Sequence, residues 1–238
     1  MTPLKRWKFT ALLVALLLLM VVYPLFRGDE PVFPLLYGLF LVTVFLGVVF
    51  VLFQRRASRA VALALGIPAV AGVLTHYLLP GMPPAPKHLF FHLVPAVFLA
   101  YTVVAGLRTI FAGTRVSVDG VNGALCGYLL IALAFGHLYC LTEAVRPGSF
   151  HLEPYVGALP ADEEQRHALF TYFSLVTLTT VSYGDIVPRS TPARTLAWVE
   201  ALIGQFYVAV VIAGLVGVVV STAIQDRAPG PPDGPGSR

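Results

Sequence analysis

The chain is 238 residues long, 57% hydrophobic and only 12% charged, a balance that one water-soluble core of this size could not conceal, so its solvent is lipid. Its net charge of +4 does not signal nucleic acid, because the basic residues sit at the ends of apolar runs instead of forming a stripe with interleaved aromatics.

A bilayer core about 30 Å thick calls for about twenty apolar residues per helix. Six stretches are predicted to cross it: Phe9 to Phe26, Val32 to Phe53, Ser58 to Leu79, Leu89 to Phe111, Val121 to Leu141 and Thr195 to Ile224. Pro34, Pro68 and Pro95 fall inside three of them, which helices in lipid tolerate when neighbours satisfy the freed backbone groups. The first run follows Lys5, Arg6 and Lys8 as a secretory leader would, but no small-residue cleavage site precedes Arg27, so a retained anchor is expected. With the N-terminus inside, cytoplasmic loops collect Lys5, Arg6, Lys8, Arg55, Arg56, Arg59, Arg108 and Arg115, while outer loops hold only Arg27 and Lys87. Both termini are therefore expected in the cytoplasm. The all-helical span pattern excludes a barrel and fits a plasma-type membrane.

Cys126 and Cys140 share one predicted helix about 21 Å apart, too far to bridge, and no CxxC spacing occurs, so both read as packing residues. His88 and His92, four apart, form a candidate metal or proton site near the outer surface, with interfacial packing the simpler reading. His137, Glu143 and Glu200 lie where ionisable groups face protein or water, and structural hydrogen bonding is expected of all three.

The segment Glu143 to Arg194, between the fifth and sixth spans, is expected outside. Its first part, Arg146 to Arg166, is polar and turn-rich, whereas His167 to Thr180 is an apolar run too short to cross and reads as a re-entrant helix. Irregular backbone at membrane depth survives only where protein buries it or where it lines water, so the residues after this helix must border an aqueous path. That stretch is TTVSYGD, Thr179 to Asp185. Carbonyls of successive residues converge on one axis only if the backbone alternates between right- and left-handed regions, and the left-handed positions favour glycine. Gly184 meets that demand. Ser182 does not, at about 1–2 kcal/mol for a Cβ in that region.

TTVSYGD resembles TTVGYGD, the signature of potassium channels, preceded by an aromatic-bearing helix and followed by a transmembrane one. The resemblance covers roughly Arg166 to Ile224 at motif level and extends more weakly to the six-helix layout. It implies that the Thr180 hydroxyl and carbonyl, with the carbonyls of Val181, Ser182 and Tyr183, replace the water around a dehydrated K+, and that Gly184 closes the outer end of the filter. Tyr172, Phe173 and Thr179 would support the filter from the pore helix, and Asp185 would sit at the outer mouth, attracting cations or bonding to the pore helix. Arg194 would open the last helix as a basic residue does in the family, and Gly204 stands where the inner helix has its bending glycine, close packing being the alternative. Ala213 and Gly217 form a small-xxx-small pair suited to a tight crossing of helices. Asp162, Glu163 and Glu164 would either concentrate cations at the entrance or form a solvated loop.

One chain supplies one quarter of an ion-encircling ring, and no internal repeat supplies another loop, so a homotetramer is implied. The expected fold is an all-α membrane protein of six transmembrane helices plus a re-entrant pore helix and selectivity-filter loop, with fourfold symmetry. Its parts would be a four-helix transmembrane domain at 1–112, a pore domain at 113–226 and a disordered tail at 227–238. Because the fourth span carries Arg108 alone, the first domain lacks the arginine ladder of a voltage sensor. The implied function is passive, potassium-selective conduction across the plasma membrane, with K+ as the permeant ion, no organic cofactor, and partners limited to its own copies, lipid and potassium, without nucleic acid. Ser182 keeps a weakly selective cation channel in play, beside a non-conducting regulatory subunit. A membrane enzyme or proton-coupled transporter would show clustered ionisable residues or repeated halves, which the first four spans lack.

Overall fold

The computed structural model describes residues 8–25, 56–78, 89–111, 118–153, 157–160 and 163–225. The second predicted span, Val32 to Phe53, lies outside the described residues, as do His88, Asp162 and the tail at 227–238. The other five predicted spans fall on helices. In chain order these are α1 (Lys8–Leu25), α2 (Arg56–Leu78), a π-turn (Leu89–Leu93) running into α3 (Val94–Phe111), and α4 (Val118–Val145). After the strand β1 (Phe150–Leu152) come α5 (Glu163–Leu178), β2 (Ile186–Pro188), α6 (Thr191–Phe206), a π-helical segment (Tyr207–Ile212) and α7 (Ala213–Gln225). Among the described residues, three stretches are long and apolar enough to cross a bilayer: Phe91–Phe111, Val118–Val145 and Thr191–Val218. The chain is thus a mostly helical membrane protein.

Helix α4 is the central post. Its apolar window is 61% buried, against 17% for Thr191–Val218, because α1, α3, α5 and α6 all pack on it. Small residues permit that crowding: a Cβ at Gly136 would come within 3.2 Å of the Thr171 Cα on α5. Cys126 and Cys140 are buried on this helix and free, as packing residues should be.

The two ends of α4 hold different neighbours. At its start, Asp119 Oδ1 accepts hydrogen bonds from the amide and the hydroxyl of Thr10, each 3.0 Å, and Asn122 Nδ2 donates to Thr10 Oγ1 at 2.8 Å. At the opposite level the π-turn before α3 packs on α4. There His92, on that turn, meets α4 and α5: His92 Nδ1 lies 3.4 Å from His137 Nδ1, and His92 Nε2 lies 3.3 Å from Glu163 Oε2. Pro95, which has no N–H to give, stands two residues past the end of this widened turn, after Val94.

The last helix is not uniform. Its π-segment buries Tyr207, whose hydroxyl donates to the Ala124 carbonyl at 2.7 Å. Tyr207→Phe is expected to lower unfolding free energy by about 1 kcal/mol, the net worth of one hydrogen bond, and thermal unfolding in detergent measures it. On the outward face Trp198, Leu202, Phe206 and Val210 recur at fourfold spacing and are all exposed. Among the described residues, nothing covers this apolar stripe.

Candidate functional site

The site is built where α5 ends. Its buried positions Phe170, Phe173, Ser174, Thr177 and Leu178 face the rest of the fold, and Glu163 stands at its N-terminus, where the helix dipole favours an acid. Glu163 is buried, ion-paired to Arg166 at 3.4 Å and in contact with His92. It is therefore a helix-anchoring residue and not part of a solvated loop. The His167 ring stacks on His137 with centroids 3.9 Å apart. No group of three or more His, Cys, Asp or Glu side chains among the described residues is placed to hold a metal ion. The partners of His92 thus come from α4 and α5, through the fold, while the His88 half of the sequence pair lies outside the described residues.

At the C-terminal end of α5 the chain reverses tightly. The amide of Thr179 donates to the Leu175 carbonyl at 3.0 Å, that of Thr180 to Thr177 at 2.9 Å, and those of Val181 and Ser182 to Val176 at 3.0 and 3.4 Å. The Thr179 hydroxyl back-bonds to the Leu175 carbonyl at 2.6 Å. These bonds satisfy helix-end carbonyls that would otherwise lack partners. They also consume the amides of Thr180, Val181 and Ser182. Among the described residues no hydrogen bond ends on the carbonyls of Thr180, Val181, Ser182 or Tyr183.

Backbone handedness follows the expected alternation. Thr180 has φ 59°, Ser182 φ 48° and Gly184 φ 76°, with no positive φ at Val181 or Tyr183 between them. Sequence reasoning anticipated the strain at Ser182 and missed it at Thr180. Two side-chain-bearing residues therefore hold left-handed conformations, at about 1–2 kcal/mol each. Such strain persists only where the surroundings over-determine it.

Three ties supply that determination. On the outer side, the Tyr172 hydroxyl donates to Asp185 Oδ2 at 2.5 Å, and Asp185 Oδ1 accepts from the Ile186 amide at 3.0 Å. Both oxygens of Asp185 are engaged, so of its two sequence-level roles the bond to the helix before the turn is the one observed. Immediately beyond, β2 pairs antiparallel with β1, Phe150 opposite Pro188 and Leu152 opposite Ile186. Ser149 O accepts from the Arg189 and Ser190 amides, and Glu143 accepts from the amides of Gly148 at 2.7 Å and Phe150 at 3.2 Å. The Arg146–Arg166 segment is thus partly a strand, too short for any periodicity to declare.

Behind the turn, Phe173 belongs to an aromatic cluster, with its ring centroid 4.9 Å from that of Tyr139 and 5.6 Å from that of Phe150. Beneath it, the Leu178 carbonyl accepts from the Tyr128 hydroxyl at 3.0 Å. A Cβ on Gly204 would overlap that same carbonyl oxygen, so glycine at 204 is required by close packing. The widened helical turn lies just past it, at Tyr207–Ile212. Glu200, one turn before Gly204, is wholly buried and bonded to Tyr139 and Ser174. Tyr128, Tyr139 and Ser174 were not singled out from the sequence; a hydroxyl-bearing residue in an apolar run is the only signal they offer.

Val181 and Tyr183 are 52% and 68% exposed. Beside them a cleft of 390 Å³ opens between the turn, β2 and α6, lined by Phe173, Thr177, Tyr183, Pro188 and Ala201. The arrangement presents unclaimed carbonyls, next to the negative end of a helix dipole, to whatever occupies the space in front of them. Such a surface is chemically suited to a cation.

No curated protein matches the chain. Residues 162–221 match the family model described as an ion channel, so the segment holding α5, the Thr180–Gly184 turn and α6 is similar in sequence to a channel domain and not to an enzyme.

Proposed function

We propose that the protein is a potassium-selective channel, a homotetramer in which four copies of the Thr180–Gly184 turn surround one axis and pass K+ down its gradient. The observation that carries this reading is the alternation of left-handed residues at Thr180, Ser182 and Gly184 on a turn whose first three amides are tied back to α5 and whose Thr180 to Tyr183 carbonyls are unclaimed among the described residues. Carbonyl rings of this kind replace the hydration shell of a bare monovalent cation. Thr180, Val181, Ser182 and Tyr183 provide the ligands. Tyr172, Phe173 and Thr179 hold them from a re-entrant pore helix, α5, and the inner helix bends at Gly204 or in the π-segment beyond it.

The exposed stripe Trp198, Leu202, Phe206 and Val210, together with exposed Val181 and Tyr183, supports assembly, since no described residue covers this surface and further copies would. In this reading six spans cross the plasma membrane with both termini in the cytoplasm, and the meeting of helix ends supports an even number of crossings from the start of α1 to the start of α4. The start of α1 and the start of α4 meet at one level through Thr10 and Asp119, while His92, His137 and Glu163 meet at the other.

Reconstitution into liposomes tests the reading. With a potassium gradient, the reversal potential is expected to follow the potassium equilibrium potential. Equal passage of sodium would favour a weakly selective cation channel, the reading that the left-handed Ser182 keeps alive. Absence of any flux would leave a non-conducting regulatory subunit.

A further inference from the structure

Glu200 is the one carboxylate buried to zero exposure among the described residues, and no cation pairs with it there. Its neighbours are two hydroxyls. Tyr139 on α4 contacts Glu200 Oε2, and Ser174 on α5 contacts Glu200 Oε1. Ser174 Oγ also lies 2.8 Å from the carbonyl oxygen of Ala132 on α4, a pure acceptor.

Counting protons decides the charge state. Three contacts, Tyr139 to Glu200, Ser174 to Glu200 and Ser174 to Ala132, each need one hydrogen between two oxygens. Two hydroxyls supply two. Were Glu200 ionised, the Ser174 hydrogen would serve either the carboxylate or Ala132, leaving two oxygens facing each other without a hydrogen at close range. A buried, unpaired carboxylate would add a desolvation cost of its own.

We propose that Glu200 carries the third proton and acts, as a neutral carboxylic acid, as the positioning residue that pins α6 to both α4 and α5 behind the turn. Its proton goes to Ser174, Ser174 donates to Ala132, and Tyr139 donates to the other carboxyl oxygen. The pin lies in register with the Gly204 contact. Ser174 faces Glu200 and Leu178 faces Gly204, four residues further on in both helices, so α5 and α6 run side by side and meet at successive turns. Ser174 stands six residues before Thr180, so any slackness there is passed to the strained turn through the end of α5. That consequence for ion selection rests on the proposed channel function; the protonation itself does not.

The experiment uses the full-length protein in detergent and in liposomes. The infrared spectrum of the wild type at neutral pH minus that of Glu200→Gln is expected to show the carbonyl stretch of a protonated carboxyl. Glu200→Gln itself should keep the wild-type thermal midpoint and cation selectivity, because an amide can donate to Ser174 and accept from Tyr139 as the acid does. Glu200→Leu, similar in size, should strand the Tyr139 hydroxyl and leave Ser174 only its bond to Ala132, lowering the midpoint by roughly 5 °C or more, with loss of selectivity. A difference spectrum without that band, or a Gln variant as unstable as the Leu variant, overturns the proposal. The spectrum is read whether or not the protein conducts, so its failure is distinguishable from failure of the channel reading.

Discussion

Alanine at position 204 is expected to abolish potassium flux and to lower the thermal midpoint by several degrees. The added Cβ would sit 3.2 Å from the Leu178 carbonyl carbon and closer still to its oxygen, and backbone atoms cannot swing aside as the tip of a side chain can. Either α6 moves off α5 or the end of α5 moves toward the turn. Overpacking of this sort costs about 1–3 kcal/mol per chain, and here it falls on the carbonyl that Tyr128 holds at 3.0 Å. Gly217→Ala is the matched control, since among the described residues a Cβ there meets nothing. It should leave the midpoint of the single chain unchanged. Retention of both flux and midpoint in Gly204→Ala would show that the α5–α6 contact is looser than the packing requires.

The turn itself should respond to substitution with opposite signs at neighbouring positions. Gly184 has φ 76° with open space among the described residues where a Cβ would point, so Gly184→Ala meets no clash there and is penalised through backbone conformation. For an L-residue the left-handed region costs about 1–2 kcal/mol, and four copies around an axis multiply it to roughly 4–8 kcal/mol. Conduction is expected to be lost. Ser182→Gly removes a Cβ from φ 48° and relieves the same penalty, so the potassium-to-sodium permeability ratio should rise. Bi-ionic reversal potentials measure both variants. A ratio that Ser182→Gly leaves unmoved would mean that the surrounding ties already hold the turn rigid against the strain.

Those ties mark the boundary between what local chemistry reveals and what it hides. Hydropathy over about twenty residues locates helices, and Phe9, Ser58, Leu89, Val121 and Thr195, where described spans were predicted to begin, all fall within or at the start of observed helices. The turn was also legible, because handedness is a property of single residues: glycine at 184 and the awkward serine at 182 are visible without any neighbour. Even so, left-handed Thr180 escaped notice, since nothing in a threonine announces a conformation imposed on it by amides returning to Val176 and Thr177.

Partner choice was a different matter. By itself the sequence determined that the chain lies in lipid, where its described helices run, and which short stretch departs from helix. Only the tertiary structure decided that Glu143 caps loop amides while Glu200 pins three helices, that Asp185 is tied to Tyr172, that Glu163 is buried against His92, and that Gly204 is needed for contact with Leu178. The reason is distance along the chain. Each of these polar groups is satisfied by a residue or backbone atom whose identity is ordinary at its own position, and a buried polar atom must find its partner wherever the packing of helices happens to bring one.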